Sequence, residues 1–196
     1  MEATTSPLRI GCVVMAAGSA SRFGGNKLTA AVDGQTMIRR ALEAVPREAL
    51  TRVCVVTGYD EVEHLARAMG FSCVRNDRPK LGVSRTVRLG TQALMDACDA
   101  IVYQVADQPW LRRESVAGEI AFYLRHPAHI VAMSSGGVRG NPCIFPARFF
   151  PELCALSGDV GGSAVIRRHM SDLLLYEVDE SELIDVDTPQ ALRNTP

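Results

Sequence analysis

The chain has no surplus of either charge: 21 Lys and Arg stand against 22 Asp and Glu, a formal net charge of −1. The electrostatic footprint that nucleic acid or an anionic membrane surface demands is missing, so neither is expected as a partner. No stretch approaches the roughly 18 uncharged apolar residues of a membrane-spanning helix. The start, Met1-Glu2-Ala3-Thr4-Thr5-Ser6-Pro7, lacks both the basic and the apolar region of a signal peptide. Residues 1–7 are expected to form a mobile arm, and the protein to reside in the cytoplasm. The six cysteines, Cys12, Cys54, Cys73, Cys98, Cys143 and Cys154, include no C-x-x-C pair. Several lie in apolar runs, where a free thiol behaves as a small hydrophobe. Reduced core thiols are therefore expected in place of a zinc site or a disulfide framework. His64, His126, His129 and His169 show no H-x-x-x-H spacing and read as structural or exposed.

What is present is an ordinary globular composition, 47% hydrophobic and 22% charged over 196 residues, a length that suits one domain spanning residues 1–196. Short β-rich runs at Ile10–Met15, Arg52–Thr57, Phe71–Arg75, Ala100–Ala106, Ile130–Ser134 and Leu173–Val178 alternate with helical patterns. Those patterns fall at Thr36–Val45, Glu61–Gly70, Ser84–Ala97 and Glu114–Arg125; in the third, Val87, Leu94, Met95 and Cys98 form one apolar face. Strand–helix alternation with continuous apolar strands predicts a mainly parallel sheet covered on both faces, a three-layer α/β/α fold. Past about residue 134 the alternation breaks. Gly136-Gly137-Val138-Arg139-Gly140 reads as a hairpin turn leading to a short run at Cys143–Phe145, a small antiparallel extension. Ala147–Ala155 and Ser163–Met170 read as short helices around a Gly-rich loop.

The most informative segment follows the first strand: Ala16-Ala17-Gly18-Ser19-Ala20-Ser21-Arg22-Phe23-Gly24-Gly25-Asn26-Lys27. Small residues such as Ala16, Ala17, Gly18 and Ser19 let a backbone approach a ligand and aim consecutive N–H groups at an anion. Arg22 and Lys27 add the positive charge that a polyphosphate attracts. Two other phosphate motifs do not fit. A P-loop needs Gly-Lys-Ser/Thr, but Asn26 precedes Lys27 and Leu28 follows it. A dinucleotide fingerprint needs a second Gly where Ala20 stands. The alternative for this loop is a plain strand-to-helix turn with surface charges.

Asp107 ends the run Ala100-Ile101-Val102-Tyr103-Gln104-Val105-Ala106 and is fixed by Pro109 two residues on. A carboxylate at the C-terminal end of a buried strand is well placed to hold Mg²⁺, which binds through one or two carboxylates plus phosphate oxygens. The competing reading is a turn or N-cap Asp before Pro. Asp187 is the candidate second carboxylate, although Asp187-Thr188-Pro189 also looks like a cap leading into a last helix.

The string Met15-Ala16-Ala17-Gly18, Ser21-Arg22-Phe23-Gly24 and Lys27-Leu28 resembles the signature of nucleotidyltransferases that activate sugars, alcohols and cofactors with nucleoside triphosphates. Within that superfamily the chain is most similar to the molybdenum cofactor cytidylyltransferases, from about residue 10 to about residue 192. Four further segments carry the likeness: Asn76 with Gly82-Val83-Ser84, Asp107-Gln108-Pro109, Gly140-Asn141-Pro142 with Ser157-Gly158-Asp159, and Asp185-Val186-Asp187-Thr188-Pro189. The resemblance implies a Rossmann-like nucleotidyltransferase fold. It implies Mg²⁺, with Mn²⁺ as a substitute, held by Asp107 and Asp187. Asn76, Gly82, Ser84 and Gln108 would join the first loop in binding nucleotide, with Ser84 also a natural N-cap. Asn141, Pro142 and Asp159 would bind the acceptor, with ordinary turn chemistry as the alternative. Arg85 and Thr86 depart from the small hydroxyl residues expected there, and Asn141 stands where many relatives carry His.

The implied reaction moves CMP from CTP to the terminal phosphate of a molybdopterin-type cofactor and releases pyrophosphate. A recipient molybdoenzyme or its chaperone would take the product. Ala17 and Gln108 favour CTP over GTP, since guanylyltransferase relatives usually carry Gly and a Thr or Ser there. Three alternatives stay open: a GTP-using enzyme of the same kind, a cytidylyl- or uridylyltransferase acting on a sugar or alcohol phosphate, and a non-catalytic cofactor carrier. Retention of Arg22, Lys27, Asp107 and Asp187 argues against the last.

Overall fold

The computed structural model describes residues 7–18, 26–188 and 190, so the expected arm, Pro7 apart, lies outside the described range. The expected helix after Pro189 lies outside it as well. In chain order the elements are β1 (Ile10–Ala16), β2 (Ala31–Val32), β3 (Gln35–Thr36), α1 (Met37–Glu43), β4 (Arg52–Thr57), α2 (Asp60–Ala68) and β5 (Ser72–Arg75). Then come α3 (Val83–Leu94), β6 (Ala100–Val105), α4 (Arg113–Arg125), β7 (Ile130–Ser135), β8 (Val138–Pro146), α5 (Phe150–Ala155), α6 (Ser163–Arg168) and β9 (Leu173–Glu177).

Seven strands form one sheet in the order β5-β4-β1-β6-β8-β7-β9. β1 pairs parallel with both β4 and β6, and β4 with β5. β8 runs against both neighbours, and β9 rejoins parallel to β7. This is the expected three-layer fold, mainly parallel with an antiparallel element. The two periodicities of the chain explain the layering. Along β1, Ile10, Cys12, Val14 and Ala16 point to one face, where residues of α1, α2 and α4 cover them. Val13 points to the other face, into a cluster with Val87 of α3, Leu153 of α5 and Val165 of α6. Gly90 lets α3 lie close: a Cβ added there would be 2.5 Å from Val13 Cγ1.

Three local expectations change. Helix α3 begins at Val83 and ends at Leu94, so Met95 leaves the apolar face and is 38% exposed. β8 covers nine residues, longer than the expected run at Cys143–Phe145, because its first half completes the hairpin with β7. Gly136 and Gly137 form that hairpin's two-residue turn, both at positive φ. A second hairpin, β2–β3, was not anticipated. Its turn is Asp33-Gly34, at φ 50° and 81°, a dipeptide that signals a tight hairpin. Among the described residues no helix is long and apolar enough to cross a membrane.

One group in the core conflicts with its setting. Glu119 on α4 is wholly buried, and neither carboxyl oxygen has a good hydrogen-bond partner. Burial pushes its pKa well above the ordinary 4.5, a rise the Met133 backbone offsets only in part. Below the ordinary carboxyl range Glu119 is protonated in both folded and unfolded chains and costs nothing by ionisation. As pH climbs from there toward the raised folded value, only the unfolded chain gains by ionising, so stability falls. Glu119→Gln should remove that loss and raise Tm at pH 7 by a few degrees, each ~1 kcal/mol being worth roughly 2–4 °C at this size. Thermal melts from pH 4 to pH 8 test this; a gain that is the same at every pH would overturn it.

Candidate active site

Parallel strands deliver their C-terminal ends to one edge of the sheet, and ligands of open α/β sheets bind there. Ala17 and Gly18 follow β1, Tyr59 lies two residues after β4, Asn76 follows β5 and Asp107 lies two residues after β6. Ala16 and Ala17 are buried against the core, while an atom added at Gly18 would meet nothing within 4 Å. Tyr59 donates its hydroxyl to the Gly18 carbonyl at 2.9 Å. Asn26, beyond the first loop, is anchored too: Oδ1 accepts from the Leu28 N–H at 3.1 Å and Nδ2 donates to Glu61 at 3.0 Å. Both described ends of the loop are thus tied to the segment after β4. Ser19 and Arg22, expected to contact phosphate, lie outside the described residues.

Lys27 opens a short 3₁₀ turn, Lys27–Thr29, and its side chain is turned inward, leaving the residue 8% exposed. Its Nζ lies 2.8 Å from Asp107 Oδ2 and 2.8 Å from Asp187 Oδ1. Burial works against the ammonium, but the two carboxylates outweigh it and hold its pKa above the ordinary Lys value. Asp185 reports the same local field from the other sign. It keeps solvent access, yet partial burial and then the negative charge of Asp107 push its carboxyl up to about 6, against the opposing pulls of Gln108 and Lys27. The potential here is negative, a setting that a cation relieves. Among the described residues no group of three or more His, Cys, Asp and Glu is arranged to hold a metal. Two carboxylates focused on one point fit Mg²⁺ nonetheless, because that ion completes its shell with water and substrate phosphates.

Asp187 reaches this point because residues 180–188 are strapped across the end of β6. The Val186 N–H donates to the Asp107 carbonyl at 2.9 Å, and Val186 is fully buried. Gln108, 2% exposed, donates from Nε2 to the Leu183 carbonyl at 3.2 Å. Glu182, 1% exposed, accepts from the Arg112 N–H at 2.9 Å, from the Arg112 guanidinium at 2.6 Å and from Ser115 Oγ at 2.9 Å. Gln108 therefore acts on the site through the strap. Glu182 and Tyr59 escaped the sequence reading. Their partners lie far along the chain, and no local motif singles them out.

A groove of about 350 Å³ runs from Ala17 and Gly18 to residues 79–83, Thr86, Gly158 and Asp159. Its wall is made by two loops in close contact. Gly82 has φ +90°, and a Cβ there would be 2.3 Å from the Gly158 carbonyl oxygen. The Ser84 N–H donates to that oxygen at 3.3 Å, and the Val83 N–H donates to Asp159 Oδ1 at 3.2 Å. So Asp159 caps α3 from another part of the chain. Ser84, expected as N-cap, lies one residue inside the helix and is buried, because Gly82 occupies the cap position. Asn76 is fully buried as well. Its amide donates to Thr86 Oγ1 at 3.1 Å, and its carbonyl oxygen accepts from Arg85 Nε at 3.0 Å and the Arg78 N–H at 3.2 Å. Arg85 and Thr86, the two unexpected residues, are the partners that fix Asn76.

Behind the groove lies a second cavity of about 250 Å³, lined by Tyr103, Phe145 and Leu153 with Asn141, Cys143 and Ser163 at polar positions. Met15 and Val83 line both spaces. Asn141, followed by Pro142 through a cis peptide, faces this cavity, whereas Asp159 faces the groove. The two expected acceptor residues are thus neighbours of different, adjoining spaces. A larger cleft, about 520 Å³ with Arg47, Arg52 and Phe71, sits at the opposite end of the sheet, where β4 and β5 begin. It lies at the other end of the sheet from Gly18 and Asp107.

Residues 12–173 match the family model of the MobA-like NTP transferase domain. The chain belongs to that family. Among curated relatives of this MobA-like transferase is the purine catabolism protein PucB of Bacillus subtilis, 29% identical over 94% of each chain. Among solved structures, Rv0371c of Mycobacterium tuberculosis superposes with a TM-score of 0.80 at 22% identity, over 96% of this chain and 97% of that one. The same protein in complex with manganese superposes with a TM-score of 0.76 at 23% identity, over 94% and 96%. At these identities the structural matches establish the fold.

The Gly82–Gly158 contact is open to a direct test. Gly82→Ala places a side chain at positive φ and against a backbone carbonyl that cannot rotate away, a strain of roughly 1–3 kcal/mol. Tm should fall by several degrees, and the further rise in Tm produced by added nucleotide should shrink. An unchanged nucleotide-induced shift would separate this wall from the nucleotide site.

Proposed function

We propose that this MobA-like transferase moves CMP from CTP to the terminal phosphate of a molybdopterin-type cofactor, with Mg²⁺, releasing pyrophosphate. The observation that carries the nucleotidyl-transfer reading is the convergence of Lys27, Asp107 and Asp187 at the C-terminal edge of the sheet, the edge that also carries Gly18. The choice of cytosine and of the pterin acceptor rests on the resemblance of the first loop and of residues 140–142 and 157–159.

The chemistry asked of the protein is modest. A phosphate monoester, with its second pKa near 6, is mostly ionised at neutral pH and needs no general base. The obstacle is bringing two anions together, about 4 kcal/mol per close pair of unit charges at an effective dielectric near 20. Backbone N–H groups of the first loop would bind the triphosphate, and Lys27 would offset charge on the phosphates as pyrophosphate departs. Asp107 and Asp187 would hold Mg²⁺, which supplies further positive charge when bound. The groove would take the nucleotide, and the adjoining cavity a flat heterocycle, with Asn141 offering donor and acceptor to its edge.

Mass analysis of products from a panel of CTP, GTP, UTP and ATP against molybdopterin and sugar phosphates tests the assignment. CTP with the pterin should give the highest kcat/KM. A higher value for GTP would move the protein to the guanylyl class. A preferred sugar or alcohol phosphate would remove the cofactor reading. Asp107→Asn should abolish pyrophosphate release with little change in Tm, and Lys27→Ala should cost roughly 10²–10³ in kcat. Near-native turnover in Asp107→Asn would remove the carboxylate from the chemistry.

A further inference from the structure

The ammonium of Lys27 stands where the cation of this site would stand. Its contacts to Asp107 and Asp187 are both 2.8 Å, and the group is buried. Mg²⁺ binds carboxylate oxygens at about 2.0–2.1 Å. The same two oxygens cannot serve an ammonium and a divalent ion at once, since the two cations would repel at close range. We infer that Lys27 is a resident counter-ion of the divalent-cation site, closing it to free metal until nucleotide phosphates draw the ammonium away. This rests on the reading of Asp107 and Asp187 as the metal pair and of the Gly18 groove as the nucleotide site.

Three features support the exchange. Lys27 closes the first loop in sequence, and its side chain ends at the two carboxylates. A Lys side chain is a flexible stem carrying a point charge with three rotatable donors, so it changes acceptors without a fixed fork to re-align. The charge bookkeeping also balances. Without metal, Asp107 and Asp187 both lie 2.8 Å from one ammonium, which offsets part of their negative charge. With nucleotide present, the phosphates offer the ammonium an equivalent anion, and the carboxylates become available to a cation that also binds those phosphates. Mg²⁺ gives up its water reluctantly and favours sites completed by substrate phosphate. Metal and nucleotide should therefore load together, each raising the affinity for the other by the same factor.

The test is binding of Mn²⁺ alone, followed by electron paramagnetic resonance of the free ion, with a thermal melt of every variant. In the absence of nucleotide, Lys27→Met should bind Mn²⁺ about tenfold tighter than the native chain, or more. The double variant Lys27→Met/Asp107→Asn should lose that gain. The native chain itself should bind Mn²⁺ tightly only when a non-hydrolysable CTP analogue is added, which keeps the test available if Lys27→Met does not fold. Equal Mn²⁺ affinity of the native chain with and without the analogue would overturn the inference. So would native or weaker affinity in folded Lys27→Met. If Asp107→Asn then still abolishes analogue-dependent Mn²⁺ binding, the metal reading stands and only the role of Lys27 falls. If Mn²⁺ binding is indifferent to Asp107→Asn, both fall.

Discussion

Two carboxylates drawn from distant parts of the chain share one ammonium, and the rest of the active edge is built around keeping them in place. Lys27 and Asp187 are 160 residues apart, Lys27 and Asp107 80. Two carboxylates this close in space would push the strap away from the end of β6 if no cation lay between them. The ammonium supplies the charge, but the geometry comes from contacts outside the trio. The Asp107 carbonyl holds the Val186 N–H, Gln108 holds the Leu183 carbonyl, and buried Glu182 ties the strap to the start of α4. The charged trio remains exchangeable because the strap does not depend on it alone.

The groove at Gly18 follows a different rule. Gly18, Gly82 and Gly158 bring main chain to its lining, and the capping of α3 by Asp159 locks residues 82–84 to residues 158–159. A cap normally comes from the residue that precedes a helix. Here Gly82 takes that position because a side chain would collide with Gly158, so the capping oxygen arrives from across the groove. One carboxylate thereby couples the wall on the nucleotide side to the Gly-rich loop that leads to the second cavity.

Much of this was legible in the sequence. Strand limits such as Arg52–Thr57 and helix α4 came within a residue or so, because apolar runs bounded by turn residues carry that information locally. The placement of Ala17, Gly18 and Asp107 just past strand ends was legible for the same reason. What escaped was non-local. Ser84 reads as an N-cap until the contact between Gly82 and Gly158 is known. The hold of Arg85 and Thr86 on Asn76, and of Gln108 on Leu183, is likewise visible only in the fold. In each case the residue type suits more than one role, and the structural one is set by tertiary packing. The Asp33-Gly34 hairpin is the exception, a local signal that was present and passed over.

The two adjoining cavities are built differently, and on the proposed reading that difference bears on how a fold of this kind changes substrate. The groove is fixed by glycines, a cross-loop cap and strand ends, features that tolerate little substitution. The adjoining cavity is lined by side chains, Tyr103, Phe145, Leu153 and Asn141 among them, drawn from β6, β8, α5 and the loop before α6. Apart from Tyr103 of β6, they come from the part of the chain where strand–helix alternation breaks, outside the parallel core. On the proposed reading, acceptor choice rests on these side chains and nucleotidyl transfer on Lys27, Asp107 and the strap; Met15 and Val83, which line both spaces, are where the two adjoin.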